Sequence, residues 1–496
     1  MATLSPPESE YDTHPIHTSA ETTVEDAPTA TPAPTPEPPH APRKQVVGSL
    51  ILAGMMVVLF WAGFSGQVRP PVNGSWGDIY RYQCFASSFW GGEQAMKGAF
   101  AIQCADVRVT YARYPAQVLA SPLLPDALGR WIVAHGSLAT PLHTLPIEYP
   151  VLSLIPFSLP LLAPPAYYTV VFGIIMTLLT LAVYALLARF ASWNAAGFFA
   201  LCMGIGAYST GAERFDILPA GLTLAALLLA ERHRWLWAYI LIALGTFLKY
   251  YPIVLLLPLV VMHLRALPGG WRERLRGIAK PLGVFAGICV TLLFITALIN
   301  PMILYRQVST LARRPIEVES VSATFAWLGS QLGIPMEPFV QFGSDNVNTP
   351  LASALTLLAL LALVAGLALL LFSLWRGAIS ARQVWLVTLL LVAVTGKVFS
   401  AQYLIWLLPF AAYVVALEGM TPLLWLAACA LTTFGYPFLW REDSGGWHAI
   451  IALRNLVMLW LVLTYLPLQD IPALLRSLRA AGDTARARFR VRVRSG

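Results

Sequence analysis

The sequence predicts an all-α polytopic membrane protein with about twelve transmembrane helices. Hydrophobic residues make up 57% of the 496 residues and charged residues only 12%, whereas about 25% of a soluble domain is charged. Apolar runs long enough to cross a bilayer recur along the chain, with basic residues between them. The net charge of +8 is spread over these intervals and a basic C-terminal tail rather than gathered in one patch. This distribution argues against a nucleic-acid partner and indicates contact with anionic lipid.

The two ends of the chain differ in composition from its middle. Residues 1–42 are rich in Pro, Thr, Glu and Ala and poor in large apolar residues, which predicts a disordered cytoplasmic tail. They lack the basic start and short apolar core of a cleaved signal peptide. Residues 471–496 carry a cluster of arginines and are predicted to form a basic cytoplasmic tail. Residues 43–470 form the predicted transmembrane domain.

The first predicted crossing covers residues 46–63 and sets the orientation of the chain. Arg43 and Lys44 precede it, so the positive-inside rule places the N-terminus in the cytoplasm. The chain then enters a long outer segment, residues 67–150, which begins close to the lipid surface. The predicted location is therefore the cytoplasmic membrane.

Further apolar runs continue the alternation of crossings. In chain order, they cover residues 165–188, 195–210, 215–230, 235–261, 282–299, 351–374, 384–396, 403–417, 422–439 and 449–466. The run 235–261 is interrupted by Lys249-Tyr250-Tyr251-Pro252, which predicts two short crossings with Lys249 at the outer turn. This division places Arg265 and the basic residues after it in the cytoplasm, as the charge rule requires. A second outer loop covers residues 300–350, and both termini are predicted to be cytoplasmic.

Five cysteines are present. Cys84 and Cys104 both lie in the first outer segment, where an oxidising compartment allows a disulfide. The sequence leaves two alternatives for this pair: a disulfide bond, or two free thiols. The others, Cys202, Cys289 and Cys429, lie in apolar runs and are interpreted as packing residues.

Polar and charged residues that are unusual at membrane depth lie mostly on the predicted outer side. Asp78 lies just beyond the first crossing, where a carboxylate suits deprotonation of an acceptor hydroxyl by an enzyme that uses a lipid-borne donor. A solvated loop aspartate is the alternative interpretation. The middles of the crossings are nearly free of charge, whereas a transporter places polar groups near the bilayer midplane. The pattern therefore favours an enzyme that works at the interface.

Transfer from a lipid phosphate also needs cations for the phosphate and polar or aromatic groups for the sugar. The candidate phosphate ligands are Arg214, Lys249, Arg313, Arg314 and Lys397. The candidate substrate contacts are Tyr82, Glu148, Tyr149, Asp216, Tyr250, Glu319 and Gln402. Structural ion pairs, such as Arg214 with Asp216, and an ordinary interfacial belt of aromatic residues are the alternatives.

No cofactor is predicted. His135 and His143 lack a partner at i, i+4 spacing, so they do not indicate a zinc site. The acidic residues Asp78, Glu148 and Asp216 leave a divalent-ion site open as an alternative.

Short motifs on the predicted outer side carry a family resemblance. They are G-D-I-x-x-Y at 77–82, E-Y-P at 148–150, R-F-D-x-L-P-A at 214–220, L-K-Y-Y-P at 248–252, R-R-P-I-E-V-E-S at 313–320 and K-V-F-S-x-Q-Y-L-x-W-L-L-P at 397–409. In this order they resemble glycosyltransferase family 87, the bacterial polyprenyl-phosphate-mannose-dependent α-mannosyltransferases of the C-superfamily. Two departures are Val151, where the family often has proline, and a longer interval between Asp78 and Glu148.

The resemblance implies a C-superfamily architecture whose outer loops form the active site. It implies inverting transfer of a hexose, most often mannose, from a polyprenyl-phosphate donor to a lipid or glycan acceptor on the outer face of the membrane, with Asp78 as general base. Two other classes compete with this hypothesis. A lipid-linked sugar transporter or flippase would use the polar residues as a vestibule, and a non-catalytic scaffold of envelope assembly would tolerate loss of Asp78.

Overall fold

The structure is a computed structural model, in which the predicted tails 1–42 and 471–496 fall largely outside the described part. The residues described are 42–67, 77–98, 101, 104–122, 124–136, 140–341, 343–418, 421–439 and 445–480.

Nineteen α-helices, a further helical stretch over residues 471–480 and one small sheet occupy the described residues. The first nine helices are α1 (Arg43–Gln67), α2 (Asp78–Lys97), α3 (Ala105–Ala112), α4 (Tyr114–Leu119), α5 (Asp126–His135), α6 (Leu154–Ser158), α7 (Tyr168–Phe190), α8 (Trp193–Gly206) and α9 (Ile217–Glu231). The next six are α10 (Trp235–Leu248), α11 (Leu256–Ala266), α12 (Trp271–Ile299), α13 (Pro301–Arg313), α14 (Val321–Ser330) and α15 (Ala352–Arg376). The last four are α16 (Ala381–Thr395), α17 (Leu404–Glu418), α18 (Pro422–Thr433) and α19 (Gly445–Tyr465).

The helices confirm the predicted all-α class of a membrane protein. Five of those in the described residues, within α1, α7, α12, α15 and α19, are long and apolar enough to cross a bilayer. Shorter apolar helices cover the other predicted runs, and residues 151–162 form one more that the sequence analysis did not assign. The count of twelve crossings and the C-superfamily architecture stay predictions.

The predicted interruption at Lys249 is confirmed. Helix α10 ends at Leu248, Lys249 has extended backbone, and a short 3₁₀ turn over Tyr251–Leu255 leads into α11. Pro252 lies in this turn and explains the break, because proline lacks the amide proton for a continuous helix and disfavours helical geometry in the residue before it.

The two predicted outer segments contain regular secondary structure over much of their length. Helices α2 to α5 occupy most of the described part of the first segment, and α13 and α14 lie in the second. The second segment also carries an antiparallel sheet in the order β1-β3-β2. Its strands are β1 (Ile316–Glu317), β2 (Glu337–Gln341) and β3 (Ser344–Asn348). Their residues are too polar, and the stretches too short, to stand out as apolar runs.

Close helix packing at the centre depends on small residues. On α8, a side chain added at Gly204 would lie 3.3 Å from the Cα of Met56 on α1, and one at Gly206 would lie 3.1 Å from the Cα of Cys429 on α18. Small residues at such contacts let helix backbones approach closely, as in membrane bundles. The longest helices instead face outward, since Leu298 of α12 and Leu358 of α15 each expose more than half of their side chains.

The pairing of Cys84 and Cys104, left open by the sequence, is a disulfide in the structure. It ties α2 to the chain just before α3.

We expect the double variant Cys84→Ser/Cys104→Ser to lose about 3 kcal/mol of unfolding free energy, since a constraint across a loop of this length is removed. Urea unfolding in detergent micelles measures the loss. The matched control is Cys289→Ser, a free cysteine on α12. Equal stability of the double variant and the control would contradict the bond.

Candidate functional site

Most of the predicted site residues lie at one end of the helix bundle. Asp78 begins α2, Asp216 precedes α9, Lys249 follows α10 and Lys397 follows α16. These helices alternate in direction, so residues at the start of one and at the end of the next come to the same end of the bundle.

Asp78 lies in a row of four alternating charges. Its carboxylate accepts from the guanidinium of Arg214 and, at 3.3 Å, from Nη1 of Arg81. The other amine of Arg81 donates to Oε1 of Glu148 at 2.7 Å. Less than a fifth of each side chain is exposed. The row therefore joins α2 to the segment before α6 and to the loop before α9, and each charge has a partner of opposite sign.

The suggested ion pair of Arg214 with Asp216 is wrong. Arg214 contacts Asp78 and also hydrogen-bonds the hydroxyl of Tyr436. Asp216 contacts Lys249 instead, with 2.5 Å between Nζ and Oδ1. Only Phe215 separates Arg214 from Asp216 along the chain, and the two side chains face different helices.

Lys249 is held in an aromatic pocket. Its ammonium lies 5.8 Å from the ring centre of Tyr149, 5.2 Å from that of Phe215 and 5.1 Å from that of Trp406. Ring faces attract cations at this range. Asp216 is completely buried and also accepts from the indole Nε1 of Trp406. Burial lowers the pKa of Lys249, and Asp216 opposes this effect.

Tyr82 and Tyr149 belong to the packed aromatic layer beneath these charges. The ring of Tyr82 stacks on Phe157 with 4.2 Å between ring centres. Tyr149 meets Tyr82 edge-on at 5.6 Å. Both tyrosines were predicted as substrate contacts, and the structure gives them a packing role that does not test this prediction.

Tyr250 supports the segment that carries Glu148. Its hydroxyl and Oε1 of Gln307 are 2.9 Å apart, and the amide of Gln307 donates to the carbonyls of Pro146 and Tyr149 at 2.8 Å. Tyr250 thus fixes α13 against this segment. Gln402 lies half-buried in a 3₁₀ turn, Ala401–Tyr403, at the start of α17.

Glu317 and Glu319 lie in a second buried polar cluster, around β1. Glu317 accepts from the backbone amide of Phe399 at 2.9 Å and from the hydroxyl of Ser400 at 2.6 Å. Glu319 is buried beside the Arg454 guanidinium, which donates to its backbone carbonyl at 2.5 Å. Burial raises the pKa of Glu319 to about 8, and the charge of Arg454 acts against the shift.

Arg454 and the neighbouring Asn455 were missed by the sequence analysis. Asn455 donates to the carbonyls of Glu319 and Ser320, each at 3.1 Å, and to the hydroxyl of Thr324. Both residues lie within α19, an otherwise apolar helix. An arginine next to an asparagine inside such a run was the signal that could have revealed them, since polar groups at membrane depth need partners.

Arg313, Arg314 and Lys397 line one cleft of about 530 Å³, together with Leu357 and Leu360 of α15. Three of the five predicted phosphate ligands therefore meet here. Arg314 has a buried Nε with no partner among the described residues. Its charge also contributes to the lowered pKa of Lys249, which places the cleft within electrostatic reach of the Asp216 pair.

The turn between β2 and β3 closes over the row of charges. Gly343 in this turn has a φ of 67°, a conformation that glycine adopts at no steric cost. A side chain there would lie 3.1 Å from Nη1 of Arg81 and 3.3 Å from Oε1 of Glu148. Ser344 next to it receives a long contact, 3.5 Å, from Arg314. The sheet therefore touches both the charge row and the phosphate-ligand candidates.

Within the described ranges, no group of three His, Cys, Asp or Glu side chains is arranged to hold a metal ion. The acids of the open divalent-ion alternative do not converge on one point. Asp78 and Glu148 flank Arg81, and Asp216 contacts Lys249.

The fold and site define a helical membrane protein with a dense, internally paired cluster of charges at one end of its helices. Comparison with models of known protein families and with curated proteins gave no match for this chain. Function is therefore inferred from the residues, their contacts and the resemblance of the motifs.

Glu213 is a buried acid that the sequence analysis did not assign to the site. It is 2% exposed, and its Oε2 has no hydrogen-bond partner among the described residues. The carboxyl lies against the backbone of Gly77, where an added Cβ would be 2.7 Å from Oε1. Burial raises the pKa of Glu213 to about 7. It lies beside Arg214 in sequence and next to the start of α2, so a neutral acid borders the charge row.

This burial predicts a pH-dependent stability. Native Glu213 keeps its proton up to about pH 7, whereas the unfolded chain releases it near 4.5. The native state then binds more protons across this window, so Glu213 makes stability fall as the pH rises, by about 3 kcal/mol in total. We expect Glu213→Gln to be more stable than the wild type at pH 8 and close to it below pH 4.5.

Urea unfolding in micelles at both pH values checks this expectation. The control is Glu93→Gln, which removes an exposed acid paired with Lys97. If Glu213→Gln loses stability at the higher pH, the carboxylate of Glu213 is ionised and compensated, and the expectation fails.

Proposed function

We propose that this protein is a membrane glycosyltransferase that moves a hexose, mannose by resemblance, from a polyprenyl-phosphate donor to a lipid or glycan acceptor. The observation that carries the proposal is the cleft lined by Arg313, Arg314 and Lys397. It combines three cations with apolar side chains of α15, a helix whose outward face is exposed. A phosphate attached to a long hydrocarbon chain needs both surfaces at once.

The phosphate would lie between the cations, and the polyprenyl chain would follow α15. Leu357 and Leu361 of this helix each expose more than half of their side chains. Arginine binds phosphate oxygens through its planar fork, and lysine adds a point charge. As the sugar leaves the donor, these charges stabilise the phosphate that remains with the lipid.

Asp78 is the proposed general base. Its two arginine partners hold the carboxylate in a fixed position at the start of α2. In the proposed step the acceptor oxygen attacks the anomeric carbon and passes its proton to Asp78. The bond from that carbon to the phosphate oxygen breaks, polyprenyl phosphate leaves, and the configuration at the carbon inverts.

The orientation follows from the charge rule. Both termini would be cytoplasmic, and the cluster around Asp78 would lie at the outer face of the cytoplasmic membrane. Tyr82, Glu148, Tyr149, Asp216, Lys249 and the other paired residues would then hold the helix ends in register, while acceptor binding uses the less buried rim.

Asp78→Asn tests the proposed base. We expect transfer of labelled mannose from polyprenyl-phosphate-mannose to membrane lipids to fall about 10²–10⁴-fold, the usual contribution of a general base. Membranes that express equal amounts of each protein are compared. Asp126→Asn, which removes an exposed acid at the start of α5, should retain wild-type transfer. Full turnover in Asp78→Asn would remove this residue from the mechanism.

If labelled lipid crosses the membrane without covalent transfer, the flippase hypothesis is supported instead.

Arg314→Gln tests the donor cleft. Loss of one charge-assisted hydrogen bond to phosphate should raise the KM for the donor about tenfold or more, with a smaller effect on the KM for the acceptor. Initial rates at varied donor concentration measure this. Arg130→Gln on α5, an exposed arginine, is the matched change of charge. An unaltered donor KM in Arg314→Gln would assign Arg314 to structure alone.

A further inference from the structure

A second cleft lies at the opposite end of the same helices. Asp216 lies at the start of α9, Lys249 at the end of α10 and Lys397 at the end of α16. This cleft, of about 440 Å³, meets the end of α9, the start of α10 and the start of α16. Residues of its lining that matter here are Glu231, His233, Trp235, Arg265, Leu374 and Arg382. None of them belongs to the predicted reaction site.

The backbone around Arg265 fixes the position of its guanidinium. Its guanidinium donates to the carbonyl of Leu374 in the last turn of α15. Gly377 ends that helix in a left-handed conformation, with a φ of 78°. A side chain at Gly377 would lie 2.7 Å from Nη2 of Arg265. The glycine therefore both terminates α15 and leaves room for the guanidinium.

The second arginine of the cleft is fixed by a carboxylate. Nε of Arg382 donates to Oε1 of Glu231 at 2.7 Å, and the hydroxyl of Tyr413 donates to Oε2 at 2.6 Å. Both oxygens of Glu231 are thus engaged. Two arginines against one carboxylate leave a net positive charge in the cleft, before any contribution from His233.

The cleft lies close to a marker of the membrane interface. Trp271 at the start of α12 and Trp375 at the end of α15 are exposed, and their rings meet edge-on with 6.2 Å between centres. Arg274 lies over the ring of Trp375. Exposed tryptophans beside basic residues are typical of the level of lipid headgroups. Since Leu374 and Trp375 are consecutive, the cleft is at this level too.

We propose that this cleft binds the phosphate of an anionic phospholipid headgroup. Arg265 and Arg382 supply the charges for a phosphate diester, and Trp235 supplies an apolar wall for the glycerol and the start of the acyl chains. A leaflet that contains anionic lipids attracts basic segments of membrane proteins at its surface. The inference requires only that the chain is embedded in a membrane, and it is independent of glycosyl transfer.

The test is lipid retention by the full chain, purified in a nonionic detergent and measured by native mass spectrometry. Phosphatidylglycerol and phosphatidylcholine with identical acyl chains are offered in equal amounts. We expect the wild type to retain phosphatidylglycerol at least fivefold better, which is about the effect of one basic residue at a membrane surface. Arg265→Gln should lose most of this preference.

Two further variants keep the test decisive. Ala266→Leu fills the cleft without changing its charge and should also abolish the preference, even if Arg265→Gln fails to fold. Arg276→Gln removes an exposed charge of α12 outside the cleft and should retain the preference. Equal retention of the two lipids by the wild type overturns the proposal, as does a preference that survives in Ala266→Leu. Displacement of phosphatidylglycerol by millimolar inorganic phosphate would identify a site for free phosphate and overturn it as well.

Discussion

The burial of Asp216 is the constraint on which the polar end of this molecule depends. Its carboxylate is out of reach of water and contacts Lys249 after α10 and Trp406 on α17. Removing one partner of such a pair typically costs about 3–5 kcal/mol, because the remaining charge stays buried and uncompensated. The start of α9, the end of α10 and the start of α17 are therefore held in one arrangement. Small displacements of any of these helices would separate the pair.

The buried pair of Asp216 with Lys249 also determines the position of the charge row that contains Asp78. Arg214 precedes Asp216 by two residues, so the pair that fixes Asp216 also fixes where the Arg214 guanidinium meets Asp78. Arg81 then extends the row to Glu148. Asp78 therefore has a position defined through another residue's ion pair without being enclosed itself, and part of its side chain stays accessible.

The sequence predicted the helices well and the partners of the charges poorly, for a physical reason. Apolar runs and their interruptions act locally, so the break after Leu248 could be predicted from the stretch Lys249 to Pro252 and the charges that follow it. Ion-pair partners depend on which helix ends meet in three dimensions, and Arg214 was assigned to its neighbour Asp216 rather than to distant Asp78. Arg454 escaped notice since its ligands are mostly backbone carbonyls.

The short length of the central helices has a consequence for water. Helix α10 has 14 residues and so rises only about 21 Å, compared with about 30 Å for the hydrocarbon core of a bilayer. The neighbouring α8, α9, α16 and α17 are similarly short, whereas α12 and α15 are long. In a bilayer, the ends of the short central helices would lie below the headgroups beside the long outer ones. Lipid tails cannot solvate charges at that depth, so water or partners within the protein must do so, and the buried pair of Asp216 with Lys249 needs no water.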